Sequence, residues 1–179
     1  MEQSLSISSR MYALAGVLLF FGLIWLYTQE YPVFTNMIHT KWMVCGAVVF
    51  GALSGAGILF ALRRRLQPWE LHLPECFIIL IFSMIFSPLF ASLLNRAGGT
   101  TTYAPFIYVA ETPFLSSGYG FLKGEKIKPS GYQLLVKDED RLMQFRYKKQ
   151  RYFPLSQPGD TVLLPVRSGL LGFRIVELK

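Results

Sequence analysis

A charge-free segment of twenty-one residues, Trp42–Leu62, constrains this chain more than any other feature. At about 1.5 Å per residue, a helix of that length crosses a hydrocarbon core of roughly 30 Å. Three consecutive arginines, Arg63, Arg64 and Arg65, follow it directly. Because basic residues next to a span are retained in the cytoplasm, they predict that this end of the span faces the cytoplasm.

Two further apolar segments predict membrane helices over about residues 11–29 and 76–95, so that three spans occupy residues 1–96. The connection between the first two spans, residues 30–41, is too short for a domain and is expected to lie in the interface. It carries one lysine, whereas the second connection carries the three arginines. This difference predicts a bacterial inner-membrane protein with a cytoplasmic N-terminus and a periplasmic region after Arg96.

Small residues recur at every fourth position in the second and third spans, a pattern that lets two helices approach closely. They are Ala47, Gly51 and Gly55 in the second span and Ser83, Ser87 and Ala91 in the third. We expect these two faces to pack on each other within the chain, with docking onto another membrane protein as the alternative. Pro88 predicts a kink, because it lacks the N–H that would bond to the Met84 carbonyl.

The chain changes character after Arg96, where 12 of its 18 basic and 7 of its 11 acidic residues lie. Residues 97–102 have the composition of a Gly/Thr linker, and short β runs separated by turn residues fill residues 103–179. The runs are Phe106–Ala110, Tyr132–Val136, Arg141–Tyr147, Thr161–Arg167 and Leu171–Leu178. Five or six strands in about 80 residues predict a small all-β barrel of the OB or SH3-like type.

Glycine and proline mark the turns of this region at Lys128-Pro129-Ser130-Gly131, Gly159-Asp160 and Gly169. Over about residues 118–178 the spacing loosely resembles the short form of the NfeD proteins, which place an OB-fold after several membrane spans. The resemblance implies an OB-type barrel and assigns no site residue. The charged stretch 146–152 and the turn 168–172 depart from that family's pattern.

The residue inventory argues against catalysis and ion transport. The two histidines, His39 and His72, are expected on opposite sides of the membrane, and the barrel region has neither His nor Cys, which excludes Ser-His and Cys-His pairs there. Residues 138–140, Asp-Glu-Asp, lack the spaced ligands of a calcium loop and are expected to form a solvated turn. The spans contain no Asp, Glu, Lys or Arg. We therefore predict no catalytic, metal or cofactor-binding residue.

Basic and aromatic residues alternate near the middle of the barrel region. The set comprises Arg141, Arg146, Lys148, Lys149, Arg151, Tyr147 and Tyr152. On a small barrel such a pattern is typical of single-stranded nucleic-acid binding, which the predicted periplasmic location excludes. The remaining interpretations are a face for anionic headgroups or an acidic protein, and aromatic core residues with solvated cations between them.

These observations predict a membrane α-helical protein with three transmembrane helices and a small C-terminal all-β domain. We expect a non-catalytic accessory or binding protein that presents an extracytoplasmic barrel to another membrane or envelope protein. Membrane lipids are the other expected partners, and neither nucleic acid nor a small-molecule substrate is expected. Two alternatives are an immunity or inhibitor protein against a membrane-acting toxin, and a channel or transporter component.

Overall fold

The computed structural model describes residues 7–114, 129–139, 141–148 and 150–178. Within these ranges it contains three long α-helices, α1 (Ile7–Thr35), α2 (Thr40–Leu62) and α3 (Leu73–Ala97). Each helix is long and apolar enough to cross a membrane, as the sequence predicts. A short 3-10 helix, Trp69–His72, precedes α3.

The first helix is longer than the sequence predicts. It continues through Pro32 to Thr35, whose hydroxyl donates a hydrogen bond to the Pro32 carbonyl at 2.9 Å. The connection to α2 therefore shrinks to residues 36–39. His39 ends this connection with a left-handed backbone, at φ 63°, which turns the chain into α2.

Five strands form one antiparallel sheet in the order β3-β2-β1-β4-β5, which curls into a nearly closed, barrel-like domain. The strands are β1 (Thr101–Phe114), β2 (Gly131–Asp138), β3 (Arg141–Tyr147), β4 (Thr161–Ser168) and β5 (Arg174–Val176). β1 starts within the expected linker at Thr101. Its first half, Thr101–Ile107, pairs with β4 and its second half, Ile107–Phe114, pairs with β2, and an irregularity between Tyr108 and Ala110 interrupts the pairing with β2. Such bulges bend a strand, which lets one strand serve both sides of the barrel.

The barrel core consists of alternate residues of the strands. Its buried members are Ile38, Phe106, Tyr108, Leu134, Val136, Phe145, Tyr147, Val162, Leu164, Val166 and Val176. The inward faces of β3 and β4 agree with the period-two alternation of the sequence. One member, Ile38, comes from the α1–α2 connection rather than from a strand.

The α1–α2 connection fills the gap between the two edge strands of the sheet, β3 and β5. On one side, the Val176 amide donates to the Asn36 carbonyl at 2.9 Å, and the Ile38 amide donates to the Arg174 carbonyl at 2.8 Å. Met37 lies opposite Ile175 as in an antiparallel bridge. The connection thus acts as a short extra strand along β5.

On the other side, the Asn36 side chain takes the place of a strand. Its Nδ2 donates to the Arg146 carbonyl at 2.8 Å, and its Oδ1 accepts from the Arg146 amide at 2.8 Å. One side-chain amide thereby makes both hydrogen bonds that a neighbouring peptide unit would make with β3. Asn36 is only 7% exposed, so these bonds satisfy polar groups largely shielded from water.

Chain contacts divide the protein into two compact units, Met1–Tyr31 and Pro32–Lys179. The second unit contains the last turn of α1, both other long helices and all five strands. The barrel and the helices α2 and α3 therefore form one compact body.

We predict that Asn36→Asp lowers the free energy of unfolding by about 1–3 kcal/mol, because the carboxylate keeps an acceptor for the Arg146 amide but loses the donor to its carbonyl. The matched control is Gln144→Glu, the same chemical change at an exposed position of β3. Chemical unfolding of the purified protein in detergent measures both. Equal stability of the two variants would contradict the assigned role of the Asn36 amide.

Candidate functional site

The small residues of α2 lie directly against those of α3. A Cβ atom added at Gly51 would lie 2.5 Å from the Ser83 carbonyl oxygen and 2.8 Å from the Ser87 Cβ. At Gly55 it would lie 3.2 Å from the Ser83 Cβ. Both helices can approach this closely only because neither glycine carries a side chain.

At the start of α2, the interface between α2 and α3 continues into a contact with the barrel. Ala47 is buried in a cluster with Met37, Met43 and Ile175, and Ala91 packs against that cluster. This cluster joins the start of α2 to the α1–α2 connection and to β5. The small residues of α2 and α3 thus form a helix interface. Its end at Ala47 and Ala91 is continuous with the contact between the helices and the barrel.

A second contact fixes the β4–β5 hairpin to the end of α3. The fully buried Asn95 accepts a hydrogen bond from the Leu171 amide at its Oδ1 and donates from Nδ2 to the Phe173 carbonyl, both at 3.0 Å. Its backbone carbonyl also accepts from the Leu170 amide at 2.9 Å. Gly169 packs so tightly against the Asn95 side chain that no Cβ fits there.

The chain's three consecutive arginines lie far from these contacts. Arg63, Arg64 and Arg65 are exposed and follow the end of α2 opposite to its barrel contact. The guanidinium of Arg63 lies 4.3 Å from the centre of the Phe60 ring. Since α2 has 23 residues, about 34 Å of helix separate the arginines from the barrel end.

The basic and aromatic set does not gather on one face. Arg141 and Arg146 are five positions apart on β3, so their side chains leave opposite faces of the strand. The Arg146 guanidinium lies 5.5 Å from the centre of the Phe114 ring, whereas Arg141 Nη1 lies 3.5 Å from His39 Nδ1. Lys148 and Arg151 are exposed, and Lys149 lies outside the described residues.

The two tyrosines of this set, Tyr147 and Tyr152, pack within the barrel domain. Tyr147 is a buried core residue, and Tyr152 packs edge-on against it with ring centres 5.8 Å apart. The buried Glu111 carboxylate accepts hydrogen bonds from the Tyr152 amide at 2.6 Å and the Phe153 amide at 3.2 Å. These contacts hold the segment after β3 against β1.

An exposed apolar surface covers the outer side of β1 and β4. We call it the β1–β4 face; it consists of the exposed Tyr103, Pro105, Ile107 and Leu163 and of the half-buried Pro165. Pairing places Tyr103 opposite Pro165 and Pro105 opposite Leu163. Tyr103 is 72% exposed and Leu163 is 58% exposed. Contiguous apolar surface on a folded domain is typical of an interaction site.

Sequence reasoning missed this face and both asparagines. The alternation of β4 puts Val162, Leu164 and Val166 on one face of the strand and Leu163 and Pro165 on the other. This pattern could have indicated the exposed apolar face. Neither asparagine carries such a signal, because its partners lie far away in the sequence.

Among the described residues, no group of three or more His, Cys, Asp and Glu side chains is placed to hold a metal ion. Of the two free cysteines, Cys76 is buried and Cys45 is exposed. Comparisons with protein-family models, with curated proteins and with solved structures found no match for this chain.

We predict that Gly51→Ala destabilises the packing of α2 on α3 by about 1–3 kcal/mol, because the new methyl group meets the Ser83 backbone. Gly57→Ala is the control, since a Cβ there meets nothing within 4 Å. Thermal unfolding in detergent reports the difference. Equal melting temperatures for the two variants would contradict the interface.

We predict that Asn95→Ala releases the β4–β5 hairpin locally, so that hydrogen exchange at the Leu171 amide becomes about tenfold faster. The Leu170 amide provides an internal control, because it bonds to the backbone carbonyl of Asn95, which the substitution retains. Unchanged exchange at Leu171 would show that the Asn95 side chain does not anchor the hairpin.

Proposed function

We propose that this chain is a non-catalytic accessory subunit of a membrane assembly, which presents its barrel to a partner protein outside the cytoplasm. The observation that carries the proposal is the β1–β4 face, an apolar surface on the outer side of a water-exposed barrel. Polar side chains would serve solubility better at Tyr103 and Leu163, so their exposure favours a protein partner that covers them.

The attachment of the barrel supports the same function. The pairing of the α1–α2 connection with β3 and β5 fixes one side of the barrel, and Asn95 fixes the β4–β5 hairpin. A barrel held at several points keeps the β1–β4 face at a defined height and angle above the membrane. Fixed geometry lowers the entropic cost of docking to another membrane-bound protein.

The proposed orientation rests on charge. The three arginines follow the end of α2 that is opposite to the barrel contact, and basic residues next to a span favour the cytoplasm. This favours a bacterial inner-membrane protein with a cytoplasmic N-terminus and a periplasmic barrel.

We also propose that the barrel is of the OB type, a five-stranded and partly open form. The strand order supports this assignment, because it leaves a single gap between β3 and β5 that residues 36–38 bridge.

We predict that a photoreactive amino acid at Leu163 forms a covalent product with a second protein in intact cells, and that one at Leu155 does not. Leu155 is a matched control because it is an even more exposed leucine, in the segment between β3 and β4. Leu163→Asp should reduce recovery of the identified partner at least about tenfold, and Leu155→Asp should leave it unchanged.

Two results would contradict the proposal. One is the absence of a cross-linked protein at Leu163, and the other is equal loss of the partner with both aspartate variants. The identity of the captured protein separates the main proposal from the immunity alternative, for which the product would contain a membrane-acting toxin.

A further inference from the structure

An apolar groove lies where α2 and α3 meet the β4–β5 hairpin. Its volume is about 550 Å³, and its lining includes Trp42, Gly46, Phe50, Phe90, Leu94 and Phe173. Gly46 leaves open space, since a Cβ there would meet nothing within 4 Å. The volume lies within the range of roughly 300–1,000 Å³ that is usual for ligand sites.

The barrel end of this groove is cationic. Two adjoining cavities, of about 340 and 400 Å³, share Trp42 with the groove. Their described lining includes Lys41, Arg141 and Arg174 and contains no carboxylate. Arg174 has one acidic neighbour nearby, because its Nη2 lies 3.9 Å from the Asp138 Oδ2. Among the described residues, three cations of this lining have one carboxylate nearby, which leaves an excess of positive charge at this end.

We propose that the groove and its cationic end bind one anionic phospholipid. An acyl chain lies in the space above Gly46, between Phe50 and Phe90, and the phosphate lies beside Arg141 and Arg174. Trp42 stands between the two parts and lines all three cavities, a position that suits a ring at the headgroup level. The proposal requires the helices to span a membrane but does not depend on the proposed protein partner.

Charge complementarity selects this occupant over a transmembrane helix from another protein. An apolar helix seated in the groove would fill the space beside Gly46 but would bring no counter-charge to Arg141 or Arg174. Such a helix would also remove water from those guanidinium groups, which is costly without a paired anion. A lipid with a negatively charged headgroup satisfies both parts of the site at once.

The test uses Trp42 as the reporter, in a protein that also carries Trp25→Phe and Trp69→Phe so that it is the remaining tryptophan. The protein is reconstituted into phosphatidylcholine vesicles that contain increasing amounts of either dibrominated phosphatidylglycerol or dibrominated phosphatidylcholine. Bromine quenches tryptophan at short range, so the two titrations compare occupancy of the groove. We expect about fivefold tighter apparent binding of the anionic lipid.

Matched variants separate the two parts of the site. Arg141→Gln together with Arg174→Gln should abolish the preference, whereas the exposed Lys148→Gln should retain it. Gly46→Leu should weaken quenching by both lipids because it fills the groove, whereas Gly57→Leu, also without neighbours within 4 Å, should not.

Three outcomes would overturn the proposal. Equal quenching by both brominated lipids in the reporter protein would mean that ordinary annular lipid contacts Trp42. Quenching by neither lipid would mean that protein covers the groove. A preference that survives loss of both arginines would mean that other charges attract the lipid.

Discussion

Hydrogen bonds of Asn36 close the barrel of this protein. β3 and β5 are the edge strands of the sheet, and unpaired edges expose backbone groups that must find partners. Asn36 completes β3 with its side chain and β5 with its own carbonyl. A single residue between α1 and α2 therefore bonds both edges of the barrel.

This arrangement makes the second compact unit one body rather than an anchor with an attached domain. The cluster around Met43 and Ile175 contains residues from both the helices and the barrel, and Ala47 belongs to it. The helix packing at Gly51 lies one turn further along α2. A change in helix packing at Gly51 would therefore reach β5 through the contacting side chains of this cluster.

The sequence predicts those parts of the structure that depend on local patterns. The length of the charge-free segments predicts three helices. The alternation of apolar and polar residues predicts which residues of β3 and β4 share a face. The helix α1 ends later than the predicted span, because it tolerates Pro32 near its last turn. The barrel's closure could not be predicted, since Asn36 and Arg146 are 110 positions apart and nothing local to either residue indicates the pairing. The alternating charge near Tyr147 left two interpretations open, a binding face and an aromatic core, and Tyr147 is buried in the core.

The long separation between Asn36 and its partners has a consequence for biosynthesis. The ribosome makes the closing segment, residues 36–38, before it makes any strand, so this segment has neither partner until β3 and β5 have been synthesised. Contacts of such high sequence separation form late and slowly. The last strands of the barrel therefore close onto a segment that lies between two helices synthesised earlier, which makes closure of the sheet a late step in folding.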